Sequence, residues 1–219
     1  MADGIDTIYV TDSFLPKDGN GNSIYPSAAV TYLSFNSSHE QEYYRSALGI
    51  KFSVDKLLSP GQAMKLASII DYGYSNGYGA SEIVNVANQA FYESSLGSLE
   101  GPNGSHVGMF QYAAGPWADL GHSNLDINND KDQIKAMFQD ETNFEARYSA
   151  GIESGSVPKS VSFADFLEIK HHAGQNDTNY LGATEQSYVA GYEAKASLLG
   201  LDTFGGASNF HPNALHGLV

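Results

Sequence analysis

Five apolar stretches between Ser59 and Gly200 repeat at helical rather than strand spacing, and several carry their own start or stop signals. The first opens at Ser59-Pro60-Gly61-Gln62. Ser59 suits an N-cap, Pro60 the first helical position, and Gln62 the reciprocal side of a capping box. Ala63, Leu66, Ala67 and Ile70 then share one face, and the glycine-rich run Tyr72 to Gly79 is expected to end the helix. A second helix is expected from a Ser81 cap, with Ile83, Val84, Ala87, Ala90 and Phe91 as its buried stripe and Glu93 and Ser94 near its C-terminal end. A third carries Ile134, Met137 and Phe138, and a fourth opens on the capping box Ser162-Phe163-Ala164-Asp165 and bears Phe166, Leu167 and Ile169. The last, capped near Thr184, carries Tyr188, Val189, Tyr192 and Leu199 and stops at Gly200. A mainly α domain is the reading.

Outside these helices the pattern is weaker. Residues 1 to about 26 are rich in Gly, Asn and Asp and read as a loosely packed lead-in. Ala28 to Phe35 is the best strand candidate. The expected organisation is an N-terminal extension over 1–50, serving as an attachment or packing arm that holds a short strand. A helical domain over 51–203 and a tail over 204–219 follow.

A chain of 219 residues buries a substantial core as one domain, and 42% hydrophobic against 16% charged residues fits a globular protein. The formal charge of -14, with no Lys/Arg cluster, argues against nucleic acid and against an anionic membrane surface as partners. No apolar run is long enough to span a membrane, and the absence of cysteine excludes thiolate chemistry and disulfides. Met1 to Asp6 has neither a basic start nor an apolar run, so no signal peptide is expected there.

The chemistry centres on Glu93. A glutamate at a helix end is ordinarily a solvated surface residue. Here Phe91, Tyr92 and Leu96 supply apolar surroundings, and the helix C-terminus presents the negative end of its dipole. Both effects are expected to raise the carboxyl pKa and keep it protonated as a proton donor. The Glu100 to Val107 loop adds turn chemistry and backbone donors, and leads to Gly108-Met109-Phe110-Gln111-Tyr112.

Glu93-Ser94-Ser95 followed by Gly108-Met109-Phe110-Gln111 resembles the Glu-Ser…Gly-Leu-Met-Gln signature of lytic transglycosylases of the soluble-transglycosylase type, within the lysozyme-like superfamily. Asn103-Gly104-Ser105 is similar to the family's Ser/Gly turn. Two later pieces keep the family's order: His171-His172-Ala173-Gly174 resembles its Tyr-Asn-Ala-Gly segment, with His172 where Asn is usual, and Thr184 to Val189 resembles Glu-Thr-x-x-Tyr-Val. The matched stretch runs from Ser59 to Leu199.

The resemblance implies a lysozyme-like helical fold and cleavage of the β-1,4 bond between N-acetylmuramic acid and N-acetylglucosamine. Glu93 would protonate the glycosidic oxygen and then act as base while the muramyl C6 hydroxyl attacks C1. Ser94, Ser105, Gly108, Met109, Phe110, Gln111, Tyr112, His172, Gly174 and Tyr188 would line the glycan site, with Tyr188 hydrogen-bonding near Glu93. No cofactor or metal is implied. A hydrolytic muramidase would instead need a second carboxylate, for which Glu100, Asp119 and Asp126 are available. A catalytically silent glycan-binding or virion module is the alternative from another class. A phage particle, or delivery to the cell wall by a route other than a signal peptide, is the expected setting. The N-terminal segment would then contact other virion or secretion-apparatus proteins.

Two metal patterns are weighed and set aside. Adjacent His171 and His172 are expected to point apart on a helix with no third ligand. Asp126-x-Asn128-x-Asp130-x-Asp132 has the first half of a calcium loop, but Lys131 stands where Gly is needed and Met137 where a bidentate Glu is needed. A solvated turn capping the next helix is the expectation there.

Overall fold

The computed structural model describes residues 31–33, 42–97, 106–201 and 203–205. The lead-in, most of Ala28 to Phe35, the loop over 98–105 with Ser105, and nearly all of the C-terminal tail lie outside the described residues. The architecture is mainly α, as the periodicity implies. Among the described residues there are six helices: α1 (Pro60–Ser75), α2 (Ala80–Ser94), α3 (Ala114–Asp119), α4 (Asp130–Ser154), α5 (Phe163–His172) and α6 (Ala183–Leu199). None is long and apolar enough to cross a membrane.

Local chemistry sets the helix ends. Ser59 and Gln62 form the capping box at α1, and Ser162 and Asp165 do the same at α5. Asn129 caps α4 by accepting from the Lys131 and Asp132 amides, while Asp126 Oδ1 accepts from Asn128 N, so this acidic stretch is a helix-capping turn. Gly200 ends α6 in the left-handed conformation. Two expected caps move. The cap of α2 lies two residues earlier, at Gly79, whose amide donates to the Glu82 carboxylate, and Ser81 lies inside the helix. Helix α6 is capped at Gly182 rather than Thr184.

Helix α1 also runs past its expected end. Gly73 does not break it, because a side chain there would sit 2.8 Å from Ile83 Cδ1 and 3.0 Å from the Phe138 ring. The glycine is required by close packing of α1 on α2 and α4, and the helix stops only at Asn76-Gly77.

Four short strands form one antiparallel sheet in the order β1 (Thr31–Leu33), β2 (Glu42–Arg45), β3 (Lys51–Val54) and β4 (Thr203–Gly205). Strand β1 falls within the expected Ala28 to Phe35 segment; the other three are not foreseen. β4 occupies the point where a structureless tail is expected to begin, with Lys51 opposite Gly205. The sheet is continuous with the helical core: Tyr44 and Phe52 stack at 5.4 Å, both buried, and the Tyr44 hydroxyl accepts from Leu58 N at 3.0 Å.

Buried apolar residues fall into two clusters. The larger joins the sheet, α1, α2, the turn at 109–112 and the first half of α4. The smaller joins Phe144 late in α4 to Val157, Val161, α5, Tyr180 and Val189 of α6. The long helix α4 spans both clusters. The C-terminal ends of α2 and α5 come together where they adjoin, and Glu93, Glu168, His171 and His172 gather there.

Candidate active site

Helix α2 delivers Glu93 in its last turn, and the chain then reverses through three left-handed residues, Ser95, Leu96 and Gly97. Leu96 N bonds back to Ala90 O and its side chain is buried, which fixes the helix end and the direction of Glu93. Ser94 is fully buried and ties this end to the next segment: its hydroxyl donates to Met109 O at 2.7 Å and accepts from Gly97 N.

The turn at 107–112 is closed by a bridge between Val107 and Tyr112 and pinned from α4. Gln133 accepts from Phe110 N at 3.1 Å and donates to Val107 O at 3.0 Å. Gly108 has φ +74, and a Cβ there would lie 2.6 Å from Gln133 Cδ, so the turn needs glycine for both conformation and space. Gln111 also sits at positive φ, with its amide donating to Gly108 O at 2.7 Å.

Of the residues the resemblance points to, several are placed differently from a simple cleft lining. Met109 and Phe110 are fully buried in the larger core, outside the groove lining, and their backbone groups bond to Ser94, Gln133 and His171. Tyr112 turns its hydroxyl inward to Asp140 Oδ2 at 2.7 Å, and Asp140 Oδ1 lies 2.8 Å from His122 Nε2. Its ring edge packs against His171. Tyr188 stacks on His172, with ring centroids 4.9 Å apart, and has no hydrogen bond to Glu93. Gln111, Tyr112, His172 and Gly174 line a groove of about 510 Å³, together with His106, Pro116, Asp119, His171 and the 173–177 loop. That is the size of a small-ligand cleft.

Glu93 is not itself in the groove lining; it adjoins the groove through His171 and His172, which line it, and its side chain is 8% exposed. Its Oε1 accepts from Gln89 Nε2 at 3.1 Å and lies 2.8 Å from His172 Nε2 and 3.6 Å from His171 Nε2. Among the described residues no hydrogen-bond donor meets its other oxygen. His171 Nε2 also donates to Phe110 O at 3.0 Å. The neighbouring histidines therefore converge on Glu93 instead of diverging, because α2 packs against the last turn of α5 and receives both rings.

This convergence reverses the expected titration of Glu93. Burial raises its pKa, but the charge of His171, the hydrogen bond and charge of His172, and the Gln89 amide outweigh burial, so the net shift is downward. His172 shifts the other way: burial lowers it, yet the hydrogen bond and charge of Glu93 and then the charge of Glu168 hold it above the ordinary imidazole value. Both shifts favour the charged forms, a carboxylate on Glu93 and a proton on His172. Tyr92, edge-on to His172, has its hydroxyl pushed up to about 12, by burial first and then by Glu168 and Glu93.

The residue that sequence reasoning missed is Glu168, one turn before His172 on α5. It is fully buried, and its Oε1 lies 3.1 Å from His172 Nε2. Its spacing of four from His172, within the apolar run Phe166-Leu167-Ile169, is the signal that would have marked it. Glu93, Glu168 and His172 each bring a ligand-type atom within 4.8 Å of the others, close enough for one small divalent cation to bridge. The 2.8 Å separation is that of a close ion pair and the 3.1 Å one brings Glu168 within charge contact of the same nitrogen, and the arrangement is read here as one proton between Glu93 and His172.

Neither a protein family, nor a curated protein, nor a solved structure matches this chain.

Proposed function

We propose that this chain cleaves the β-1,4 bond between N-acetylmuramic acid and N-acetylglucosamine in peptidoglycan, by lytic transglycosylation, with Glu93 as acid/base. The observation that supports this most is the division of labour within one carboxylate. Oε1 is held by Gln89 and His172, the other oxygen meets no donor among the described residues, and His172 itself lines the groove. Because His172 Nε2 lies 2.8 Å from Glu93 Oε1 and the pair favours a proton on the ring, the acid in this reading is the Glu93–His172 pair rather than Glu93 alone. The proton passes through Glu93 to the glycosidic oxygen as the C1–O bond breaks. The same carboxylate then takes a proton from the muramyl C6 hydroxyl as its oxygen bonds to C1, leaving a 1,6-anhydro ring and the pair with the protons it began with.

Glu168 does not serve as the second carboxylate of a hydrolase. It is fully buried and its oxygens lie too near Glu93 for a sugar ring between them. Asp119 is the one observation favouring hydrolysis by a water nucleophile, since it lines the same groove; Asp126 is spent on the turn before α4. A wall-directed setting, in a phage particle or delivered by a secretion apparatus, belongs to this reading. Glu93→Gln should abolish release of soluble muropeptides from purified peptidoglycan with an unchanged circular-dichroism spectrum. Undiminished release by that variant would end the assignment.

A further inference from the structure

Glu168 is a buried acid that the scheme above does not use. Neither of its carboxylate oxygens meets a donor in good hydrogen-bond geometry, although the Gln89 amide lies near enough to lower its pKa, and the residue is fully buried. Such a group is costly unless a counter-charge or a task retains it. The charged partner within reach is His172 Nε2, at 3.1 Å, the same atom that lies 2.8 Å from Glu93 Oε1. One imidazole edge thus faces two carboxylates. Its single Nε2 proton is drawn to the nearer carboxylate, Glu93 at 2.8 Å, and Glu168 at 3.1 Å acts on the ring through charge.

The other groups around Glu168 bring no positive charge. Helix α2 presents Tyr92 and Gln89, and α6 presents Tyr192 and the Tyr188 ring stacked on His172. Its own helix adds Asp165, one turn before, beside Tyr192. His171 and Tyr112 face Glu93 instead.

We propose that Glu168 is a positioning residue that keeps the proton on the Nε2 edge of His172, so that the Glu93–His172 pair retains one transferable proton in the pH range where the site works. This rests on the reading of Glu93 as acid/base. Burial pushes the Glu168 carboxyl up to about 7, His172 opposes that rise and Glu93 adds to it. A modest fall in pH therefore neutralises Glu168 and weakens its hold on His172.

The test uses the full chain and Glu168→Gln, which keeps the shape and removes the charge. NMR titration of the His172 ring needs no substrate. Its midpoint should fall by roughly one pH unit in the variant. In the unaltered chain the ring signal should show a second inflection near pH 7, as Glu168 titrates. The alkaline limb of peptidoglycan release should move to lower pH in step, and Glu168→Asp should return both towards the original. A single inflection in the unaltered chain, or a His172 midpoint unmoved in Glu168→Gln, overturns the proposal. So does zinc chloride raising the melting temperature of the unaltered chain but not of Glu168→Gln, since the cluster would then be a metal site. An unaltered chain that releases no muropeptides counts against the reading of Glu93, while the NMR titration still decides the role of Glu168.

Discussion

Gly108→Ala perturbs the site at a point where the cost can be worked out. The residue sits at φ +74, a left-handed conformation that costs an alanine about 1 kcal/mol. The added methyl carbon would lie 2.6 Å from Gln133 Cδ, so the Gln133 amide must move. That amide is fully buried and bonds to Phe110 N, Val107 O and Ile127 O; losing the two bonds to the turn costs about 2 kcal/mol. The sum is about 3 kcal/mol, or roughly 6–12 °C in melting temperature for a chain of this size. Urea and thermal denaturation followed by circular dichroism measure it directly. Gly61→Ala, inside α1, is the control. Nothing lies within 4 Å of a Cβ there, and the change should fall within about 1 kcal/mol on the stabilising side. A Gly108→Ala loss below about 1 kcal/mol would refute the account of how α4 pins the turn beside Glu93.

Ser94→Ala should cost about 1–3 kcal/mol, because a buried hydroxyl that ties α2 to Met109 O is removed; equal stability by urea denaturation would contradict this. It should also lower peptidoglycan release, since Glu93 and the 108–112 turn lose their link. Glu141→Gln should stabilise the protein in a pH-dependent way. Burial, aided by the charges of Glu82 and Glu145 and opposed by the Asn85 hydrogen bond, lifts the Glu141 carboxyl to about 8. The folded state then holds this proton more tightly than the unfolded chain does. The stability it contributes is fully present below about pH 4.5 and is lost as pH rises towards 8. The variant's advantage should grow across that window to the order of a few kcal/mol, and a pH-independent gap in urea denaturation would count against it.

The legible parts of the fold are those governed by residues close in sequence. The Ser59–Gln62 and Ser162–Asp165 boxes and the Gly200 stop are local side-chain and backbone chemistry, and they appear where the sequence puts them. Gly73 was misread as a breaker because its reason is a phenylalanine on a distant helix, Phe138. The sheet was missed because its strands are three or four residues long and β3 pairs with β4 from the far end of the chain. At the site, the sequence marks Glu93 and its apolar neighbours but not the two imidazoles that α5 brings to it. Proximity across helices therefore set its titration opposite to the expectation. Glu168 stayed hidden for the same reason: a glutamate in an amphipathic segment reads as solvent-facing until α2 and α6 are seen to cover it.

The central claim is that Glu93 performs acid/base cleavage of the glycan. Mass spectrometry of the products from purified peptidoglycan, digested by the unaltered chain and by Glu93→Gln, tests it most directly. The account predicts muropeptides with 1,6-anhydromuramyl ends from the unaltered chain and no products from the variant. Reducing muramyl ends would replace transglycosylation by hydrolysis. Intact peptidoglycan after treatment with the unaltered chain, or equal digestion by Glu93→Gln, would contradict the claim.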